Sequence, residues 1–204
     1  MAQQIWIKAE NRKPPALGET ITPTAVQASS SDTGSAANNL INGNGLRDLN
    51  LDGLSEHRGD PTFMWRSAKS ETKGWVEFDL GKPRSLSAIS VWNYNDTWHT
   101  NRGVRQMSIS AWMPETGWQR VRGDQLLDQA EGGDGYDEPT VITLGATTAQ
   151  KVRFDDLVNF GDPDYIGLSE VQFFGPRGAQ AANPSSGHDA AGSASSAPSL
   201  VSQR

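Results

Sequence analysis

The sequence predicts an all-β protein built as an antiparallel sandwich. Apolar residues recur with a period of two in segment after segment. Gly and Pro clusters separate those segments, and no stretch sustains a helical period. "WVEFDL" (75–80) sets Val76, Phe78 and Leu80 against Trp75, Glu77 and Asp79. "LSAISVW" (86–92) puts Ile89 and Val91 on one face and Ala88, Ser90 and Trp92 on the other. "MSISAW" (107–112) sets Met107, Ile109 and Ala111 against Ser108, Ser110 and Trp112. "TVITL" (140–144), "KVRF" (151–154) and "LSEVQFF" (168–174) continue the alternation, while "SAANNLI" (35–41) suits a short helical turn. "LGKP" (80–83), "MPETGW" (113–118), "EGGDGYDEP" (131–139) and "FGDPDYIG" (160–167) read as the turns between strands.

One sandwich domain is expected over 20–176. Residues 1–19 read as a linker or stray strand, with "QIWI" as their one apolar piece. The stretch 177–204 is mostly Gly, Ala, Ser and Pro, too poor in apolar surface to offset its ordering entropy, and is expected to be disordered. A net charge of -6 and a pI near 5.0 argue against a nucleic-acid partner, which needs a basic face. There is no cysteine, hence no disulfide framework and no thiolate metal site. No run approaches the roughly 18 apolar residues of a membrane span. The first residues lack the charged and apolar regions of a signal peptide, so the preferred reading is a module of a longer exported, extracellular or cell-surface chain.

The connection "NYNDTWHTNRGVR" (93–105) carries far more than turn chemistry. Planar amide, carboxylate and guanidinium groups read paired hydroxyls, and aromatic rings cover the apolar faces of sugars. Asn93, Tyr94, Trp98, His99, Asn101 and Arg102 are therefore candidate ligand contacts. Asn93 and Tyr94 end a buried strand, and packing there explains them equally well. In "FGDPDYIGLSE" (160–170), Tyr165 is a candidate platform, and Asp162 and Asp164 are turn formers or hydroxyl acceptors. "SEHRGDPTFMW" (55–65) gathers Glu56, His57, Arg58 and Asp60. Its Arg-Gly-Asp tripeptide is short enough to recur by chance, and Trp65 reads as core.

The order of these motifs resembles the discoidin, or coagulation-factor type C, domain. The resemblance is carried by "ITPTAVQASS", "AANNLINGNGL", "MWRS", "GWVEFDLGKPRSLSAISVWNYN", "NRGVRQMSISAW", "AQKVRFDDL" and "GLSEVQFFG" in sequence. It covers about 20–175 and extends to carbohydrate-binding module family 32. It implies an eight-stranded antiparallel jelly roll of the galactose-binding-domain-like fold. It also implies a non-catalytic binding role, usually toward a carbohydrate, often as an appendage of a larger secreted enzyme or surface protein. Asn101 and Arg102 match the segment in which sugar-binding relatives place such residues, and His57 matches a loop whose histidine contacts ligand hydroxyls. The resemblance further implies one structural calcium ion, with Asn39, Asn42, Asn44 and Glu170 at the matching positions. Relatives usually have Asp-Gly where this chain has Asn42-Gly43, which lowers the expected affinity because an amide brings oxygen without charge. A hydrogen-bonding role for Glu170 without metal stays open. The chain also departs in the long insertion "RDLNLDGLSEHRGDPTF" (47–63).

Enzyme readings find little support. The acidic pair Asp155-Asp156 is adjacent in a strand and points to opposite faces, and no histidine, serine or phosphate-loop motif of a known catalyst is present. The alternatives to a sugar are a protein partner or adhesion role for the same loops, or a detached accessory part of a carbohydrate-active enzyme.

Overall fold

The computed structural model describes residues 17–48 and 54–177. The linker read over 1–19, the tail read over 177–204 and the middle of the 47–63 insertion lie outside the described residues except at their inner ends. Ten strands follow in order: β1 Thr20–Ile21, β2 Ala25–Ala28, β3 Leu46–Arg47, β4 Glu56–His57, β5 Trp65–Arg66, β6 Val76–Asn93, β7 Val104–Met113, β8 Gly117–Leu126, β9 Thr140–Asn159 and β10 Gly167–Phe174. Eight of them form one antiparallel hydrogen-bonded sheet, and β3 pairs only with β4.

That sheet folds over into two layers because β6 and β9 each run through both. Residues 76–79 of β6 pair with 151–154 of β9, beside β2 on one flank and β7 and β8 on the other. Residues 88–91 of β6 pair with 140–143 of β9, beside β10 and β1. Register breaks after Asp79 and after Leu86 mark the bend between the layers. "LGKP" is therefore a corner within one strand and not the turn between two. Leu80 and Leu86 are both buried and anchor the corner, while 81–85 stay extended and exposed. Gly81 takes the positive φ of 77° that the corner demands, and its N–H donates to Asp79 Oδ1 at 2.7 Å. The segments 140–144 and 151–154 join in the same way.

Alternation places Val76, Phe78, Val152, Phe154, Ile109 and Phe173 in one core between the layers. Phe78 meets Phe154 of its own layer and Phe173 of the opposite layer, each edge-on with centroids 5.1 Å apart. The expected alternation fails in 88–92, where every residue is buried. The outward face of that stretch is covered by a second, smaller cluster of Trp92, Ala130 and Tyr136 with Leu46 against it. The segment after β8 thus acts as a lid on the sheet. The helical turn expected at 35–41 is a 3-10 turn, Ala37–Leu40, held by buried Leu40.

The two connections that carry most of the candidate contacts meet at one end of the sandwich. Asn93 pairs with Leu168, and Gly103 bridges Gly167 in parallel. This brings the 94–103 and 160–166 loops side by side.

Truncating Phe78 removes the ring that links the layers. Phe78→Ala is expected to lower the unfolding free energy by about 3–5 kcal/mol, read from the midpoint shift in urea denaturation at unchanged m-value.

Candidate functional site

The site begins with the asparagines that end β6. The side chain of Asn93 accepts from the N–H groups of Tyr94 (2.9 Å) and Val104 (2.8 Å). It donates to the carbonyls of Val104 and Asp128, both at 2.8 Å. One amide thus pairs with the residue that leaves the loop as a neighbouring strand would, and the loop is closed at its base. Gly103 is required there, because a Cβ would lie 2.6 Å from Asn93 Oδ1. Asn95 is buried as well. It accepts from Gly132 N at 3.0 Å and donates to the carbonyls of His57 and Gly133, binding three loops together.

Asp96 organises the middle of the loop. Its Oδ1 accepts from Trp98 N at 3.1 Å. Its Oδ2 lies 2.9 Å from His99 Nδ1 and 3.5 Å from Arg102 Nη1, and its carbonyl accepts from His99 N. Because the carboxylate must accept, His99 carries its proton on Nδ1 and turns Nε2 outward. A 3-10 turn, Thr100–Arg102, then presents Arg102 inward with its side chain only 12% exposed. Arg102 Nε donates to Asp162 Oδ2 at 3.2 Å.

Asp162 also shapes its own loop. Its Oδ1 accepts from the N–H groups of Asp164 and Tyr165 at 2.9 Å each, and Asn159 donates to the carbonyls of Asp162 and Tyr165. The carbonyl of Asn101 accepts from Phe160 and Asp162, locking this loop to the first. The ring of Tyr165 has two guanidinium neighbours: Arg66 at 4.6 Å and Arg102 at 4.8 Å from its centroid. Arg66 is ion-paired in turn with Asp32, whose carboxyl it holds below the usual range.

The sequence-predicted residues divide into two groups. Trp98, His99, Asn101, Arg102 and Tyr165 come together at the loop end. Trp98 is 84% exposed and the side chain of His99 46%. Neither the indole N–H of Trp98 nor the amide of Asn101 has a hydrogen-bond partner among the described residues. Tyr165 is a scaffold for two arginines before it is a platform. His57, Asn93 and Tyr94 lie beneath this surface with no solvent exposure, so they shape the floor and do not reach a ligand as the loops stand. His57 Nδ1–H donates to the Arg58 carbonyl at 2.8 Å, and its Nε2 sits under Gly45 without a partner. Burial pushes its pKa down to about 4. The Arg-Gly-Asp tripeptide is turn chemistry: Arg58 stacks on Phe63, and Asp60 accepts from Thr62 N and caps the Pro61–Phe63 turn.

Sequence reasoning missed Asp96, Arg66 and Asp32. Asp96 had a local signal, an Asp two residues before the aromatic it caps. Arg66 and Asp32 are 34 positions apart and had none.

The positions matched to calcium also converge. Asn39 donates to the carbonyls of Thr62 and Met64, and its Oδ1 accepts from Asn42. Asn42 Oδ1 in turn accepts from Asn44 N at 2.8 Å. Glu170 is buried beside this turn, where Gly43 N–H reaches it. Its Oε2 has no hydrogen-bond partner, and burial pushes its carboxyl up to about 8. Among the described residues no three His, Cys, Asp or Glu side chains cluster as a metal site.

A family model described as the F5/8 type C domain matches residues 25–166. No curated protein matches the sequence. Solved structures share the fold at low identity. A family 32 carbohydrate-binding module from C. perfringens NanJ, in complex with galactose, is 15% identical with a TM-score of 0.56, covering 76% of this chain and 97% of that one. The family 32 module of AlyQ, in complex with 4,5-unsaturated mannuronic acid, is 20% identical with a TM-score of 0.52, covering 76% and 98%. A fucose-binding module from Streptococcus pneumoniae is 18% identical with a TM-score of 0.54, covering 78% and 99%.

Buried His57 makes folding sensitive to acid. Its pKa is near 4 when folded against 6.5 unfolded, so the unfolded chain binds the extra proton in that interval. The contribution of His57 is present above pH 6.5 and is lost as pH falls toward 4. The stability difference between the parent and His57→Gln is expected to shrink by about 3 kcal/mol over that range, measured by denaturant unfolding at each pH.

Proposed function

The chain belongs to the F5/8 type C domain family, and from that membership and the loop geometry we propose that it is a non-catalytic carbohydrate-binding module. The observation that carries this reading is Trp98. A tryptophan left 84% exposed, its backbone fixed by Asp96, offers a flat apolar face beside His99 and Asn101, which have donors and acceptors to give. That is the pairing a pyranose ring requires: one face of C–H groups and an edge of hydroxyls. Galactose, fucose and an unsaturated mannuronic acid are bound by the neighbouring folds.

Arg102 acts mainly as a brace between the loops. Asp96 and Asp162, the carboxylates on either side of it, both contact that guanidinium, an arrangement that favours rigidity over acid–base work. A surface site binds one sugar weakly because each hydroxyl must recover its water hydrogen bonds, so retention rises when a polymer or neighbouring modules add contacts. The module is best read as part of a longer exported chain, attached to an enzyme or a surface protein.

We also propose one structural calcium ion beside Glu170. The partnerless carboxylate oxygen supports it, with Asn39, Asn42 and Asn44 in the adjacent turn supplying neutral oxygens. When bound, the ion would supply the positive charge that a buried Glu170 lacks.

Trp98→Ala is expected to weaken glycan retention by at least about tenfold, judged from the apolar area it presents, with an unchanged melting temperature. Affinity electrophoresis against a panel of polysaccharides, with thermal unfolding as control, checks this; equal retention would remove Trp98 from the site. Millimolar calcium is expected to raise the melting temperature of the parent and not that of Glu170→Gln. A parent indifferent to calcium and to chelator would leave Glu170 a neutral buried acid.

A further inference from the structure

Charge narrows the class of glycan, an inference that rests on the carbohydrate reading above. The side chains free to meet a ligand are the indole of Trp98, the imidazole edge of His99 and the amide of Asn101. The formal charges stand just behind them and are already matched. Arg66 pairs with Asp32, while Arg102 lies between Asp96 and Asp162. Asp164 stands beside this group in the 160–166 loop. Two guanidiniums thus contact three carboxylates, and Asp164, whose N–H donates to Asp162, adds a fourth negative charge in the same loop.

An anionic sugar would need a guanidinium to receive it. The side chain of Arg102 is 12% exposed and that of Arg66 20%, and the charge of each is already met by carboxylates, Asp96 and Asp162 for Arg102 and Asp32 for Arg66. Asp96 and Asp162, each with a side chain 7% exposed, cannot turn away, because both also hold loop N–H groups. Removing one partner of such an ion pair leaves an uncompensated charge away from water. An incoming carboxylate or sulfate would also feel the excess negative charge over distances shorter than the screening length. A neutral hydroxylated ring meets neither obstacle. We propose that the ligand is an uncharged glycan and that this site excludes uronate, sialylated and sulfated sugars. The fold itself admits both classes, so the discrimination lies in these side chains.

The full chain should be assayed on immobilised pairs that differ in charge: lactose with sialyllactose, galactan with polygalacturonate, and mannan with polymannuronate. Each pair is read at about 50 and about 500 mM NaCl, which spans strong and weak screening. Binding confined to uncharged members, changing less than about twofold with salt, is the expected result. Preferential binding of a charged member, falling with salt, would overturn this inference and leave the carbohydrate reading standing. A blank on every probe by folded protein would overturn the carbohydrate reading and this inference with it. Asp162→Asn keeps the loop acceptor but removes one negative charge beside Arg102. It should raise binding of the charged member relative to its partner by about fivefold at low salt; no change would overturn the assignment of the exclusion to these carboxylates.

Discussion

The hydrogen bonds of the Asn93 side chain are the constraint on which the rest of the site depends. Its amide serves both polar groups of Val104, so the residue entering the loop and the residue leaving it are held as if they were paired strands. The same side chain reaches Asp128, tying down the segment that covers the second layer. With the base closed, ten intervening positions need only a few internal bonds to adopt one shape. Aspartate at position 93 would keep the acceptor and lose both donated bonds, taking from the buried Val104 carbonyl the amide that it meets. The role therefore calls for an amide, with no side chain at Gly103 to obstruct it.

Above that base the polar residues work in two tiers. Asn95, Asp96 and Asp162 direct most of their capacity at backbone groups and at Arg102. They convert irregular chain into a fixed surface. Trp98, His99 and Asn101 sit on that surface with atoms to spare. Tyr165 and its two guanidinium neighbours join the tiers, since Arg102 belongs to one loop and Arg66 to β5. A ligand would meet a preorganised site and not a flexible loop, which lowers the ordering cost of binding.

The layered β fold was legible because period-two burial is written residue by residue, and Phe78, Ile109 and Val152 all face inward as their alternation requires. The continuity of β6 and β9 was not. Gly81 and Gly145 look like turn residues in sequence, and only the buried residues on either side, Leu80 and Leu86, Leu144 and Ala149, show that the chain bends and carries on. The loop at 93–105 announced itself by composition, yet composition does not say which way a polar side chain faces. Asn93 and Asn95 point inward to satisfy the backbone, whereas Asn101, of identical chemistry, is left outward. His57 shows the same ambiguity, since its burial depends on Gly45 in a distant turn. Arg66 and Asp32 were invisible because their pairing is made by the fold and not by local spacing.

The ends of the described domain lie together. Thr20 pairs with Phe174, and Gly175 N–H donates to the Glu19 carbonyl at 2.8 Å. The candidate site adjoins the other end of the same strand, at Gly167. β10 spans eight residues, so about 25 Å separates the point of attachment from the point of engagement. Tension between an anchored polymer and the rest of the chain would then run lengthwise along β10. Its ladders to β6 and β1 would be loaded in shear, many hydrogen bonds sharing the strain at once, instead of being peeled open one at a time. The strand that closes the sandwich would thereby also be its tether.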